Sequence, residues 1–131
     1  MDRFYKKLTL QHQAQILNDI QSNDNKQGHW IWYTFPQPYG CWNHNHVSSL
    51  TEFYAFQPGE ALLFIQCFYD FYVECLTSLL KKRNIASFFS NVDQIKLKSH
   101  LKGFYYEITH SLYKKAYSHI TNKIIKLYKK I

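Results

Sequence analysis

Nine carboxylates serve the whole chain, so acid-base chemistry must draw on few residues. Glu52, Glu60, Asp70, Glu74, Asp93 and Glu107 are those near apolar segments. Glu60 is the best placed, because it follows Pro58-Gly59 at a helix start and stands near Tyr54. A carboxylate there can activate water or stabilise an oxocarbenium-like centre while a base or sugar stacks on an aromatic ring. The plainer reading is a first-turn charge that complements the helix dipole, worth about 0.3 to 1 kcal/mol.

The run His29-Trp30-Ile31-Trp32-Tyr33-Thr34-Phe35-Pro36-Gln37 is the second source of chemistry. Trp30 and Trp32 offer faces on which a nucleobase can stack, and Gln37 offers an amide to its edge; the same rings serve equally as core. His29 beside apolar neighbours reads first as a hydrogen-bonded structural residue. Lys96 and Lys98 can hold phosphate. Cys41, His44 and His46, with His29, are donors of the kinds zinc takes. Cys-x-x-His and His-x-His arise readily in a chain with 7 His, however, and a polar loop without metal is the expectation. No Gly-rich phosphate loop, nucleophile elbow, His-Glu-x-x-His or Cys-x-x-Cys pair is present, so no cofactor is implied.

The elements that must position these residues are helical. From Asp2 to about Ile20, Phe4, Leu8, Ile16, Leu17 and Ile20 recur at helical spacing, and Ser22 to Gly28 reads as a loop. The His29 to Phe35 segment has no polar face as a strand and is stopped by Pro36 and Pro38, so it should be buried. Pro38 to Ser49 reads as a surface loop and the first place to seek a site. Pro58 opens a long central helix reaching Leu80, closed by Lys81-Lys82-Arg83. A third helix begins at Asn91-Val92-Asp93-Gln94, kinks at Gly103, and continues with Leu112, Ala116, Ile120, Ile124, Leu127 and Ile131 as one stripe. Lys114, Lys115, Lys123, Lys126, Lys129 and Lys130 lie off that stripe and read as a solvated face.

The fold expected is mainly α, a single compact domain over 1–131 of about four to six helices with a short buried aromatic segment and a basic amphipathic helix over about 104–131. With 18% aromatic residues, the core should be aromatic-rich. Cys41, Cys67 and Cys75 form no paired spacing, and no apolar stretch follows the charged Met1 to Lys7, so reduced thiols and a cytoplasmic location are expected. Ala61 to Leu80 is apolar but carries Asp70 and Glu74, which favours a buried helix over a membrane span. The net charge of +7 is spread along the chain.

The nine residues His29 to Gln37 resemble the signature of the uncharacterised family catalogued as domain of unknown function 1810. Tyr54-Ala55-Phe56 with Glu60-Ala61 and Phe64-Ile65, then Asp93 to Ser99 with Phe104, resemble that family in the same order, over about 2–104. Departures are also visible. Gln27-Gly28 stand where the family has Arg-Ser, Gln66 to Asp70 replace a His-Pro-x-Leu-Gly stretch, His100 replaces the second Ser of a pair, and a basic ending replaces an acidic one. The resemblance implies a mostly helical fold and supplies no activity. A looser likeness, to a helical family of NAD and ADP-ribose metabolism that cleaves N-glycosidic bonds, rests on an aromatic segment followed by a Glu that opens a helix.

Two functions follow as expectations. In the first, a nucleotide derivative of NAD or ADP-ribose type is bound or hydrolysed in an aromatic pocket, with Glu60 catalytic and His29, Trp30, Trp32, Gln37, Tyr54, Lys96 and Lys98 binding. In the second, the chain is a non-enzymatic module whose basic final helix engages an acidic protein or nucleic acid.

Overall fold

The computed structural model describes residues 1–41 and 47–131, so His44 and His46 of the metal-type cluster lie outside the described residues. The described residues contain nine helices: α1 Asp2–Lys7, α2 Leu10–Ser22, α3 Ile31–Thr34, α4 Ser49–Tyr54, α5 Glu60–Cys67, α6 Tyr69–Leu80, α7 Ile85–Phe88, α8 Asn91–Thr109 and α9 Ser118–Lys129. Among these residues there is no strand, only one isolated parallel bridge between Pro38 and Phe56. The expected all-helical fold is present, but four to six helices become nine because long periodic stretches are broken.

Each break has a local cause. The first helix is split at Leu8, and α2 restarts from Thr9, whose hydroxyl accepts from His12 N at 3.2 Å. A hydroxyl at that position satisfies one of the donors a helix start leaves open. The central helix expected from Pro58 to Leu80 is broken at Phe68, where α5 and α6 meet at a 91° bend. Phe68 turns its ring into the core against Phe64, with centroids 5.1 Å apart. Among the described residues, therefore, no single helix is long and apolar enough to cross a membrane.

Gly103 does not kink its helix, as α8 runs through it to Thr109. A Cβ there would meet Pro38 Cγ at 2.4 Å and Phe56 Cζ at 2.8 Å, so glycine is what lets the Pro38–Phe56 bridge lie directly on α8. The continuous helix expected over about 104–131 is not formed. α8 ends at Thr109 with Ser111 Oγ donating to Ile108 O, and the chain reverses through 110–117 before α9. That reversal leaves Leu112 fully exposed and lets Ile120, Ile124 and Leu127 of α9 bury against α6 and α8.

One hydrophobic cluster draws on all nine helices. Its centre is aromatic: Phe64, Tyr72 and Phe104 pack mutually at 5.4 to 5.9 Å between centroids. Leu97, His100, Leu101, Phe104 and Ile108 form the inward stripe of α8 at spacings of three, one, three and four residues. The outward face of the same helix is thereby left to solvent.

Candidate functional site

The aromatic signature is held from behind by buried polar groups. Asp19 on α2 accepts from Trp30 Nε1 at 2.7 Å, Gly28 N at 2.8 Å and Asn23 Nδ2 at 2.8 Å, and from Gln27 N. Burial pushes the Asp19 carboxyl up, but the Asn23, Trp30, Gly28 and Gln27 donors outweigh it and hold the carboxyl below its usual range. Trp30 is itself buried, with Phe35, Phe88 and Phe89 around its ring. It is a core residue rather than a stacking platform.

His100 locks the far end of the segment. Its Nδ1 lies 2.8 Å from Pro36 O and its Nε2 2.7 Å from Tyr72 Oη. A carbonyl only accepts, so Nδ1 carries the proton and Tyr72 donates to Nε2. Complete burial pushes the imidazole pKa down to about 3, against the opposing effect of the Pro36 carbonyl, and pushes the Tyr72 phenol well up. Both groups are neutral and fully used.

Glu60 is likewise engaged. Arg3 Nη2 donates to its Oε1 at 2.7 Å and Nη1 to its Oε2 at 3.1 Å, Gln57 N donates to Oε1 at 2.8 Å, and Arg3 also reaches Ala55 O at 2.9 Å. The Arg3 guanidinium, with the Gln57 N–H, holds the carboxyl below its usual range despite burial. The bidentate geometry pins α1 to the start of α5. Tyr54 beside it is buried against Phe4 and Tyr33.

The remaining residues of the expected site separate. His29 is exposed and lines a cleft of about 320 Å³ with His12, Asp19 and Trp30. Gln37 and Lys96 line another of about 310 Å³, with Ser48, Thr51, Val92 and Ile95. There the Lys96 ammonium lies 4.9 Å from the centroid of the half-buried Trp32 ring. Burial pushes the Lys96 amine down. Asp93, one turn before it, is ion-paired at 3.0 Å with Lys26. The structure brings together Trp32, Gln37 and Lys96, and sets His29, Trp30, Tyr54, Glu60 and Lys98 elsewhere.

Lys98 belongs to a larger cleft of about 680 Å³ between the Pro38–Cys41 turn and α8. That size is ordinary for a small-molecule site. Its walls carry Tyr39, Tyr106 and Tyr128, the cations Lys98 and Lys102, Ser99, Cys41 and the carboxylate of Glu107. Pro38, Phe56 and Gly103 form the floor through the close packing described above. Glu107 Oε1 accepts from Gly59 N at 2.7 Å, and Gly59 takes φ +88° to start α5. Cys41 Sγ of the turn and Ser99 Oγ of α8 lie 3.1 Å apart.

Lys102, Tyr106 and Tyr128 were absent from the residues chosen on sequence, and Glu107 was passed over for Glu60. One signal was available: Lys98, Lys102 and Tyr106 are spaced by four, which places them on one face of a helix, and Gly103 and Glu107 follow on the adjoining row. Gly103 read as a kink concealed that face.

No curated protein and no solved structure matches the chain. A family model does match, over residues 1–126 of 131, so the likeness extends beyond Phe104 through most of α9. With that match covering nearly the whole length, the chain belongs to the family described as Protein of unknown function (DUF1810).

Proposed function

We propose that the chain binds a small nucleotide derivative, of the NAD or ADP-ribose type, in the cleft between Pro38–Cys41 and α8. The observation that carries this reading is the placing of Lys98, Lys102 and Tyr106 on one helix face along a cleft of about 680 Å³. Two ammonium groups suit a pyrophosphate, and exposed phenol rings such as Tyr106 and Tyr128 suit a base, whose stacking on an aromatic side chain contributes about 1 to 3 kcal/mol. Glu107, oriented by Gly59 N, takes the role first expected of Glu60: a carboxylate able to face a developing oxocarbenium ion or to activate water. Glu60 has both oxygens committed to Arg3.

Calorimetric titration with ADP-ribose tests the reading. Saturable binding should weaken at least tenfold in Lys98→Ala/Lys102→Ala, and if an N-glycosidic bond is cleaved, Glu107→Gln should retain binding and lose turnover. Absence of a melting-temperature shift at millimolar ADP-ribose would overturn it.

A second reading uses α9. Its Lys126 and Lys129, and Lys130 just after it, are exposed, and among the described residues none of these lysines forms an ion pair. An acidic protein or nucleic acid docked there would bind with steep salt dependence and would be lost on Lys126→Glu/Lys129→Glu. Salt-independent binding would rule this reading out.

A further inference from the structure

The nucleotide cleft does not end at Tyr128. Lys102 of α8 and Tyr128 of α9 also line a second groove, of about 250 Å³, between the two helices. Its other walls are Leu101, Tyr105, Ile124 and Ile125, with Lys129 at the rim. Almost no polar atom reaches its surface, although it opens to solvent and adjoins the cleft of tyrosines and lysines. Carbon walls with a few charged groups at the edge are the usual make-up of a small-molecule pocket. Here the charges are Lys102 on one side and Lys129 on the other.

We propose that the ligand is an amphiphile: a nucleotide whose phosphate lies at Lys98 and Lys102 and carries a hydrocarbon chain that enters the groove between α8 and α9. The proposal rests on the nucleotide reading of the adjoining cleft and adds to it the class of substituent. Both halves of the argument are geometric. Lys102 and Tyr128 line both spaces, so the two lie side by side and a head held in one stands next to the other. The two lysines require an anionic head, while the carbon walls reward only an apolar tail. Taking a methylene to fill about the 30 Å³ of one water, the groove holds on the order of eight carbons.

The test compares AMP, its octyl phosphodiester and octyl phosphate by calorimetry on the full chain, each below its micelle concentration. The octyl ester should bind at least tenfold more tightly than AMP. Ile125→Asp should return the ester to the affinity of AMP and leave AMP itself unchanged. Ile125 is only partly buried and outside the core cluster, so the variant should fold, and an unchanged melting temperature verifies that. Tyr105→Asp, at a residue 40% exposed, is the second variant and should act alike. Equal affinity for AMP and its octyl ester overturns the amphiphile and leaves the nucleotide reading standing. A gain that survives both variants overturns it also, because the chain then lies elsewhere. Octyl phosphate binding as tightly as the ester while AMP fails to bind supports the groove and overturns the nucleotide head. Failure of all three ligands overturns both.

Discussion

The inward side of the signature and the outward side of α8 both combine aromatic rings with polar groups and treat them in opposite ways. Behind the signature, Trp30, Asp19, His100 and Tyr72 are buried, and the indole N–H, the carboxylate, both imidazole nitrogens and the phenol all have partners. Across α8, Lys98, Lys102, Tyr106 and Tyr128 line an open cleft. A satisfied buried network stabilises one arrangement and has little left for a ligand. An open face contributes little to stability and keeps its donors available. Within the signature, Trp30 therefore serves the core, while His29 stays exposed and Trp32 and Gln37 are only partly buried.

The largest effect should come from the inward side. His100→Ala removes the partner of both Pro36 O and Tyr72 Oη and opens a cavity, so chemical denaturation should show a loss of about 3 to 4 kcal/mol. The wild type should also lose stability in acid before its carboxylates titrate. His100 has a folded pKa of about 3 against 6.5 when unfolded, so the unfolded chain takes up the proton first. The stabilising contribution is intact above pH 6.5 and falls away toward pH 3, by on the order of 4 kcal/mol. His100→Ala should lack this component, and an undiminished slope in the variant would show that other groups produce it.

Asp19→Ala is next, at about 3 kcal/mol, because it strands the Trp30 N–H and the loop donors at once. Tryptophan emission should shift to the red as the indole loosens, and a variant of unchanged stability would deny the anchor its role. Gly103→Ala joins the two regions. Helix propensity would favour alanine by about 1 kcal/mol, but the overlap with Pro38 and Phe56 should reverse the sign and cost about 1 to 3 kcal/mol net. A more stable variant would mean that α8 does not need that close approach. The smallest effect on stability should be at Lys98→Ala/Lys102→Ala, within about 0.5 kcal/mol, while ligand affinity drops at least tenfold. A large fall in melting temperature there would erase the distinction between the two regions.

Much of the fold was legible because helical periodicity is local. The stripes of α6, α8 and α9 were visible as apolar spacing, and burial of the His29 to Phe35 segment followed from its lack of a polar face. The breaks at Leu8, Phe68 and His110 were not visible, since each depends on where the next helix must pack. Of the residues that line the proposed cleft, Lys98 was among those chosen on sequence and Glu107 was noted, but Glu60 was preferred. A carboxylate in a helix first turn gives no local sign that Arg3, 57 residues earlier in the chain, occupies both its oxygens. Trp30 and Trp32 looked equivalent, yet Asp19 claims one indole and Lys96 covers the other.

The sequence by itself determined the class of fold, the family and the aromatic character of the core, because composition, periodicity and a nine-residue signature are properties of neighbours along the chain. Tertiary structure alone decided that Glu60 is paired with Arg3, which tryptophan is core, and that Gly103 permits a contact instead of a kink. Those outcomes depend on partners many residues away. Hydrogen bonds and steric overlap are set by distances of a few ångströms in space, and sequence separation does not encode them.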